Sequence, residues 1–238
     1  MRLSFTNDRV LAVMAHPDDA ELLCAGTLAR VKADGAAIAI CVMCRGDKGA
    51  GSSAGAVDLG GIRRKEAEAA AKLLGAELYW QDHDDGELFD TYANRLNLVA
   101  TYRRFRPTLV IAHSIEDYHP DHRAASVLAE AVTWFAASHG HVTEGFNPLD
   151  APPSLWWADT VNMGGFAPGF FVDVTAYTDT KTRMLGCHRS QLQRGPDGDF
   201  APLMQLMSRQ CQTRGAQAGV AAAEAFRAHH AFKRSQAW

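Results

Sequence analysis

"RVLAVMAHPDDAELLCAGTLA", Arg9 to Ala29, is the stretch whose reading decides the fold. Its first seven residues, "RVLAVMA", read as a buried strand, six of them an unbroken apolar run after Arg9, and from Asp19 to about Lys32 apolar residues recur at helical spacing. Between them stand a histidine, a proline and two aspartates, His16 to Asp19. A strand that turns at once into a helix is the opening of a parallel α/β protein. Phosphate-binding members of that class carry glycines in this turn, yet no GxGxxG follows the strand and no GxxxxGK[ST] occurs. The turn offers acids and an imidazole instead, so its chemistry is different.

The same rhythm continues downstream. "AIAICVM" reads as a strand, Ile62–Leu74 as a helix closed by Gly75, "AELYW" as a strand and Tyr92–Phe105 as a helix. "PTLVIAH" is the next strand, followed by a helix from about Asp121 to Ser138 that ends near Gly140. Right-handed crossovers between such units give a Rossmann-like, three-layer α/β fold with a mostly parallel sheet. Beyond Gly140, prolines 148, 152 and 153 loosen the pattern; "SLWWAD" and "FFVDVT" read as strands, Thr175–Gln191 and Met204–Phe232 as helices. The 238 residues, 47% apolar, suffice for one domain, with residues 1–140 as the α/β core and 141–238 as a C-terminal part shaping the substrate pocket. Trp156, Trp157 and "GGFAPGFF" read chiefly as core packing. The glycine-rich stretch Gly46–Gly61 reads as a mobile rim at the strand ends.

A net charge of −3 with both signs dispersed argues against a nucleic-acid partner. No apolar run is long enough to span a membrane, and the N-terminus lacks a signal-peptide pattern, so a cytoplasmic location is expected. Five cysteines, an odd number, read as reduced thiols. Cys41 and Cys44 form a CxxC, but within an apolar strand rather than at a helix start, which reads as small core residues.

In open parallel sheets, ligands bind beyond the carboxyl ends of the strands. Two segments bring metal-ligating side chains there: "AHPDD" after the first strand and "HSIEDYHPDH" beginning at the end of the "PTLVIAH" strand. The Pro17 turn lets His16 and Asp19 face one point while Asp18 is directed elsewhere; His122 starts the next helix, with His119 one turn earlier. Two histidines and one carboxylate leave a coordination position open, the pattern of catalytic rather than structural zinc. Asp18 is then placed as general base, His119 as donor to an oxyanion or leaving nitrogen, and Asp121 as the group that fixes the His119 tautomer. His113, at the strand end, can stand behind the ligands.

"AHPDD", the helix segment "RRKEAEAAAKLLG" and the later "HPDH" together resemble the PIG-L or LmbE-like family of zinc-dependent de-N-acetylases. The resemblance implies an LmbE-like fold, Zn2+ on His16, Asp19 and His122, Asp18 as base, and His119 as stabiliser of the tetrahedral intermediate. It also implies a small N-acetylglucosamine-containing substrate and allows a homo-oligomer. Family members often have Glu directly after the second Asp; this chain has Ala20 and then Glu21. By the same resemblance Arg63, Asp85, Asp47 and His188 (with Gln191 in "CHRSQ") are expected to bind substrate. Competing expectations are an amidase acting on a sugar-thiol conjugate, a metal-dependent hydratase, and a non-catalytic Rossmann-like binding module.

Overall fold

The computed structural model describes residues 4–49, 58–193 and 202–230. Seven strands form one sheet in the order β3-β2-β1-β4-β5-β7-β6. The strands are β1 (Arg9–Met14), β2 (Ala37–Cys44), β3 (Glu77–His83), β4 (Leu109–Ala112), β5 (Ser154–Ala158), β6 (Phe170–Asp173) and β7 (Ala223–Ala228). β1 is central: Val10 aligns with Ile38 of β2 on one side and Leu109 of β4 on the other, both parallel. β7 runs antiparallel to both β5 and β6.

The apolar run of β1 serves both faces of the sheet, as its period of two requires. Val10, Ala12 and Met14 enter one core layer, and Leu11, Val13 and Ala15 the other. The second layer is covered by α4 (Tyr92–Phe105) and α5 (Pro120–Phe135). The first is covered by α1 (Asp19–Leu23), α2 (Ala25–Ala33), α3 (Leu59–Leu74), α6 (Thr178–Leu185) and α8 (Leu203–Ala218). Trp156 and Trp157 lie in the two core layers, each 3% exposed. Among the described residues no helix is long and apolar enough to cross a membrane.

Three helical expectations need correction. The segment Asp19–Lys32 is not one helix: Cys24, at φ −147° and ψ 4°, breaks it into α1 and α2. A buried ion pair fills the break. Lys181 Nζ donates to the α1 carbonyl of Leu22 at 2.7 Å and to Glu224 Oε1 at 2.5 Å. The Glu224 carboxylate accepts the first α2 amides, from Gly26 at 2.9 Å and Thr27 at 2.7 Å. A cation at a helix C-terminus and an anion at an N-terminus satisfy groups that a helix end otherwise leaves orphaned.

Second, Met204–Phe232 is not one helix. α8 stops at Ala218, with Gly219 at φ 74°, and the chain continues as strand β7; the end of the expected helix, Phe232, lies outside the described residues. Alanine-rich "AAAEAF" favours helix locally, but two neighbouring strands and the burial of Glu224 outweigh propensity. Third, Thr175–Gln191 divides into a short 3-10 turn, α6, and the four-residue α7 (Arg189–Leu192).

The α2 break predicts a stability result. A Cβ on Gly26 would stand 2.8 Å from Val174 Cβ and Cγ1 and 3.0 Å from Glu224 Oε1. Gly26→Ala, favourable for helix propensity, is therefore expected to destabilise the protein by about 1–3 kcal/mol through overpacking, measured by urea unfolding. Cys41 and Cys44 both lie on β2 and are buried. At roughly 3.3 Å per residue their α-carbons are about 10 Å apart, beyond the roughly 7 Å a disulfide bridges.

Candidate metal centre and active site

The sheet order reverses between β1 and β4: from β1 the chain goes next to β2 on one side, and β4 returns on the other. The carboxyl ends of these two strands flank the crevice where open α/β sheets hold ligands, and "AHPDD" and "HPDH" follow these ends.

Locally, each motif is set by a helix start. The His16 amide donates to Asp19 Oδ2 at 2.7 Å, closing the turn before α1, and the Asp18 carbonyl accepts from Leu22 N at 3.0 Å. Asp18 itself takes φ 100°, a conformation costly for any residue with a Cβ. At the second motif His119 is the N-cap of α5 and Pro120 its first residue, where the missing amide costs nothing.

The result is a triangle of donor atoms. His16 Nδ1 lies 3.4 Å from Asp19 Oδ2 and 3.3 Å from His122 Nε2, and His122 Nε2 lies 3.3 Å from Asp19 Oδ2. Tetrahedral zinc, with bonds of about 2.0–2.1 Å, separates its ligands by roughly 3.3–3.4 Å, so the triangle has the size of one face of such a site. The donor chemistry fits too. Burial works to lower the His16 pKa, but the Asp121, Asp19 and Asp85 carboxylates outweigh it and push it to about 10. The cluster thus demands positive charge, which a divalent cation supplies with release of that proton.

Carboxylates orient both imidazoles. His16 Nε2 is 3.1 Å from Asp121 Oδ2, which also accepts from Gly86 N at 2.8 Å. His122 Nδ1 is 3.0 Å from Asp117 Oδ1, leaving Nε2 for a metal. Carboxylate partners of this kind fix tautomer and raise ligand basicity. His113 Nε2 stands 3.2 Å from Asp19 Oδ2; burial holds this imidazole down at about 4, hence neutral. Asp117 escaped the sequence reading. Its signal was its place in "EDYHPDH", but an acid before a helix is too common to single out.

The structure redirects several expectations. Asp121 does not hold His119 with its carboxylate, which is turned to His16; its backbone amide does so instead, donating to His119 Nδ1 at 3.1 Å. The physical reason is that the second amide of a helix has no internal acceptor. Neutral His119 therefore carries its hydrogen on Nε2. Burial first, then His16 and His122, lowers its pKa.

Arg63 is not free for substrate. Only 4% exposed, it donates to the Pro17 carbonyl, to the Gly46 carbonyl at 3.2 Å, and pairs with Asp18 Oδ2 at 3.2 Å. It positions Asp18. Burial, with the neighbouring Asp19 charge, raises the Asp18 pKa against the opposing pull of Arg63, which makes it a stronger base than an ordinary carboxylate. Gly46, at φ 70°, lets the guanidinium lie on its backbone: a Cβ there would be 2.4 Å from Arg63 Nη1.

His188 is fully buried, so direct substrate contact is replaced by a supporting place: its Nε2 is 3.5 Å from Glu21 Oε2. Burial lowers its pKa, but Glu21 and Asp18 give a net rise. Gln191 is buried as well. Asp85 and Asp47 form a clasp at the base of the glycine-rich rim. Asp85 Oδ1 accepts from Gly46 N at 2.8 Å and Asp47 Oδ1 from Asp85 N at 2.9 Å. Rim residues 50–57 lie outside the described residues. Cys44 approaches His16 and Asp121 within 4.8 Å, but burial first and the nearby aspartates next push its thiol far above the ordinary range, so it stays protonated.

Residues 11–133 match the GlcNAc-PI de-N-acetylase (PIG-L) family. A diacetylchitobiose deacetylase of Thermococcus kodakarensis is 28% identical over 193 residues, 77% of this chain and 70% of that protein. A 4-oxalmesaconate hydratase of Pseudomonas putida is 31% identical over 131 residues, covering 54% of this chain and 50% of that protein. Among solved structures, the N,N'-diacetylchitobiose deacetylase of Pyrococcus horikoshii is similar with a TM-score of 0.81 at 26% identity, covering 96% of this chain and 88% of that one.

Proposed function

Because the chain belongs to the GlcNAc-PI de-N-acetylase (PIG-L) family, we propose that it is a zinc-dependent hydrolase that removes the acetyl group from an N-acetylglucosamine-containing small molecule. The observation that carries this reading is the His16–Asp19–His122 triangle with Asp18 and His119 beside it at the sheet's switch point. The five free cysteines fit a reducing, cytoplasmic setting.

When bound, zinc supplies Lewis acidity, polarising the acetamide carbonyl and acidifying water. The chain's own groups move the protons. Asp18, held by Arg63, takes a proton from the water as its oxygen bonds to the acetamide carbon. His119, neutral with Nε2–H free, donates a hydrogen bond to the oxyanion. The C–N bond then breaks, and the proton held by Asp18 passes to the departing nitrogen, giving acetate and a free amine.

Two measurements test this. Acetate release is screened across N-acetylglucosamine, its disaccharides and its inositol and malate conjugates; chelation is expected to abolish turnover and zinc to restore it. No acetate from any of them, with hydration of an unsaturated acid instead, would favour the chemistry named for the hydratase relative. Arg63→Lys tests the positioning of the base. A lysine cannot hold two carbonyls and a carboxylate in one plane, so kcat is expected to fall about 10–100-fold with KM little changed, the signature of a defect confined to the transition state.

A further inference from the structure

One large side chain stands at the site with no task in this chemistry. Tyr118, immediately before the N-cap His119, is 46% exposed. Its ring lies 5.9 Å from that of His119 and 6.0 Å from that of His122, inclined to them by 78° and 64°. Since His119 and His122 stack on each other at 4.7 Å and the phenol is almost equally far from both, it forms a wall along the side of that stack rather than a further layer of it.

The wall is rigidly mounted. Arg123 Nη1 donates to the carbonyls of Asp117 and Tyr118 at 2.8 and 2.6 Å, and Asp117 Oδ1 accepts the His119 amide at 3.0 Å. The backbone on both sides of Tyr118 is thus fixed while its side chain is left about half exposed. Ile115, 43% exposed, stands on the same loop after β4. A rigid aromatic with two torsions, half exposed beside a reaction centre, offers contact area at little entropic cost.

We infer that Tyr118 is a substrate-recognition residue, the wall against which the pyranose ring bearing the acetamide packs with its C–H face. This rests on the function proposed above. It makes the substrate a glycoside held by its sugar ring, and gives the β4–α5 loop a share in specificity.

The test compares wild type, Tyr118→Ala and Tyr118→Phe on the N-acetylglucosaminide that wild type turns over best. Losing an aromatic contact of this kind is expected to raise KM about 10-fold in Tyr118→Ala while kcat changes less than about 3-fold, and Tyr118→Phe, which keeps the ring, is expected to recover most of the loss. Calorimetric binding of the amine product is expected to weaken by the same factor, with zinc content and melting temperature as in wild type. Unchanged KM and product binding in Tyr118→Ala would overturn the inference, as would a joint loss of kcat and zinc, which marks a structural role. If wild type releases acetate from no glycoside at all, the proposed function falls and takes this inference with it. An active wild type with an indifferent Tyr118→Ala removes the inference alone.

Discussion

Asp18→Asn is expected to lower kcat by about 10²–10⁴-fold, the usual contribution of a general base, while zinc binds at wild-type stoichiometry. The two halves of that result come from different residues. Asp18 is not a corner of the donor triangle, which is built from His16, Asp19 and His122. The substitution therefore removes the proton acceptor and leaves the metal site. Asparagine also tolerates the φ of 100° better than most residues and can still accept from Arg63. The substitution leaves the buried Arg63 guanidinium with a neutral acceptor in place of its carboxylate partner, so a modest fall in melting temperature is expected. Acetate release, elemental analysis and thermal unfolding read the three outcomes. Turnover above a tenth of wild type would show that another group takes the proton.

The second large effect concerns a buried ion pair that is not part of the donor triangle. Glu224→Ala is expected to destabilise the protein by about 3–5 kcal/mol, since it leaves a buried lysine charge without its partner. Lys181 is 1% exposed, and the lost carboxylate also serves the amides of Gly26 and Thr27. At this chain length each kcal/mol moves the melting temperature by roughly 2–4 °C, so a fall of about 10 °C is the expected order.

Alkaline pH provides an independent check. Burial tends to lower the Lys181 pKa, but Glu224 outweighs it and the net shift is upward from 10.5. A lysine raised on folding adds stability that is fully present below its unfolded value and is lost as pH rises through the folded one. Wild-type stability is therefore expected to fall above about pH 10.5, and Glu224→Gln to flatten that fall. Denaturant midpoints at pH 8 and pH 11 decide it: equal slopes in both proteins would mean that the pair is not the source.

The parallel half of the fold was legible because its signals are local. β1, β2 and β4 are apolar runs, β3 carries a short one in "LYW", and α4 matched its expected bounds, Tyr92–Phe105. The two motifs proposed to supply the donors were legible for a related reason: "AHPDD" is one turn and "HPDH" one helix start, so spacing alone groups the side chains within each. β7 was not legible. Its alanines and glutamate favour helix, and nothing in "AAAEAFRA" reveals that β5 and β6 leave a gap for a strand. The break at Cys24 was hidden likewise, because its cause is a Lys–Glu pair contributed from residues 181 and 224.

By itself, the sequence determined the fold class, and it pointed to the strand ends proposed to carry the chemistry and to the kinds of side chain gathered there. Only the tertiary structure decided what each side chain bonds to. Arg63, expected to contact substrate, holds Asp18 and two carbonyls; Asp121, expected on His119, orients His16; Asp117, unremarked in the sequence, stands behind His122. The physical reason is burial. An exposed polar group has water as partner wherever it lies, whereas a buried one must find a partner within hydrogen-bonding distance, and that partner is brought from elsewhere in the chain by the packing of the sheet and its helices.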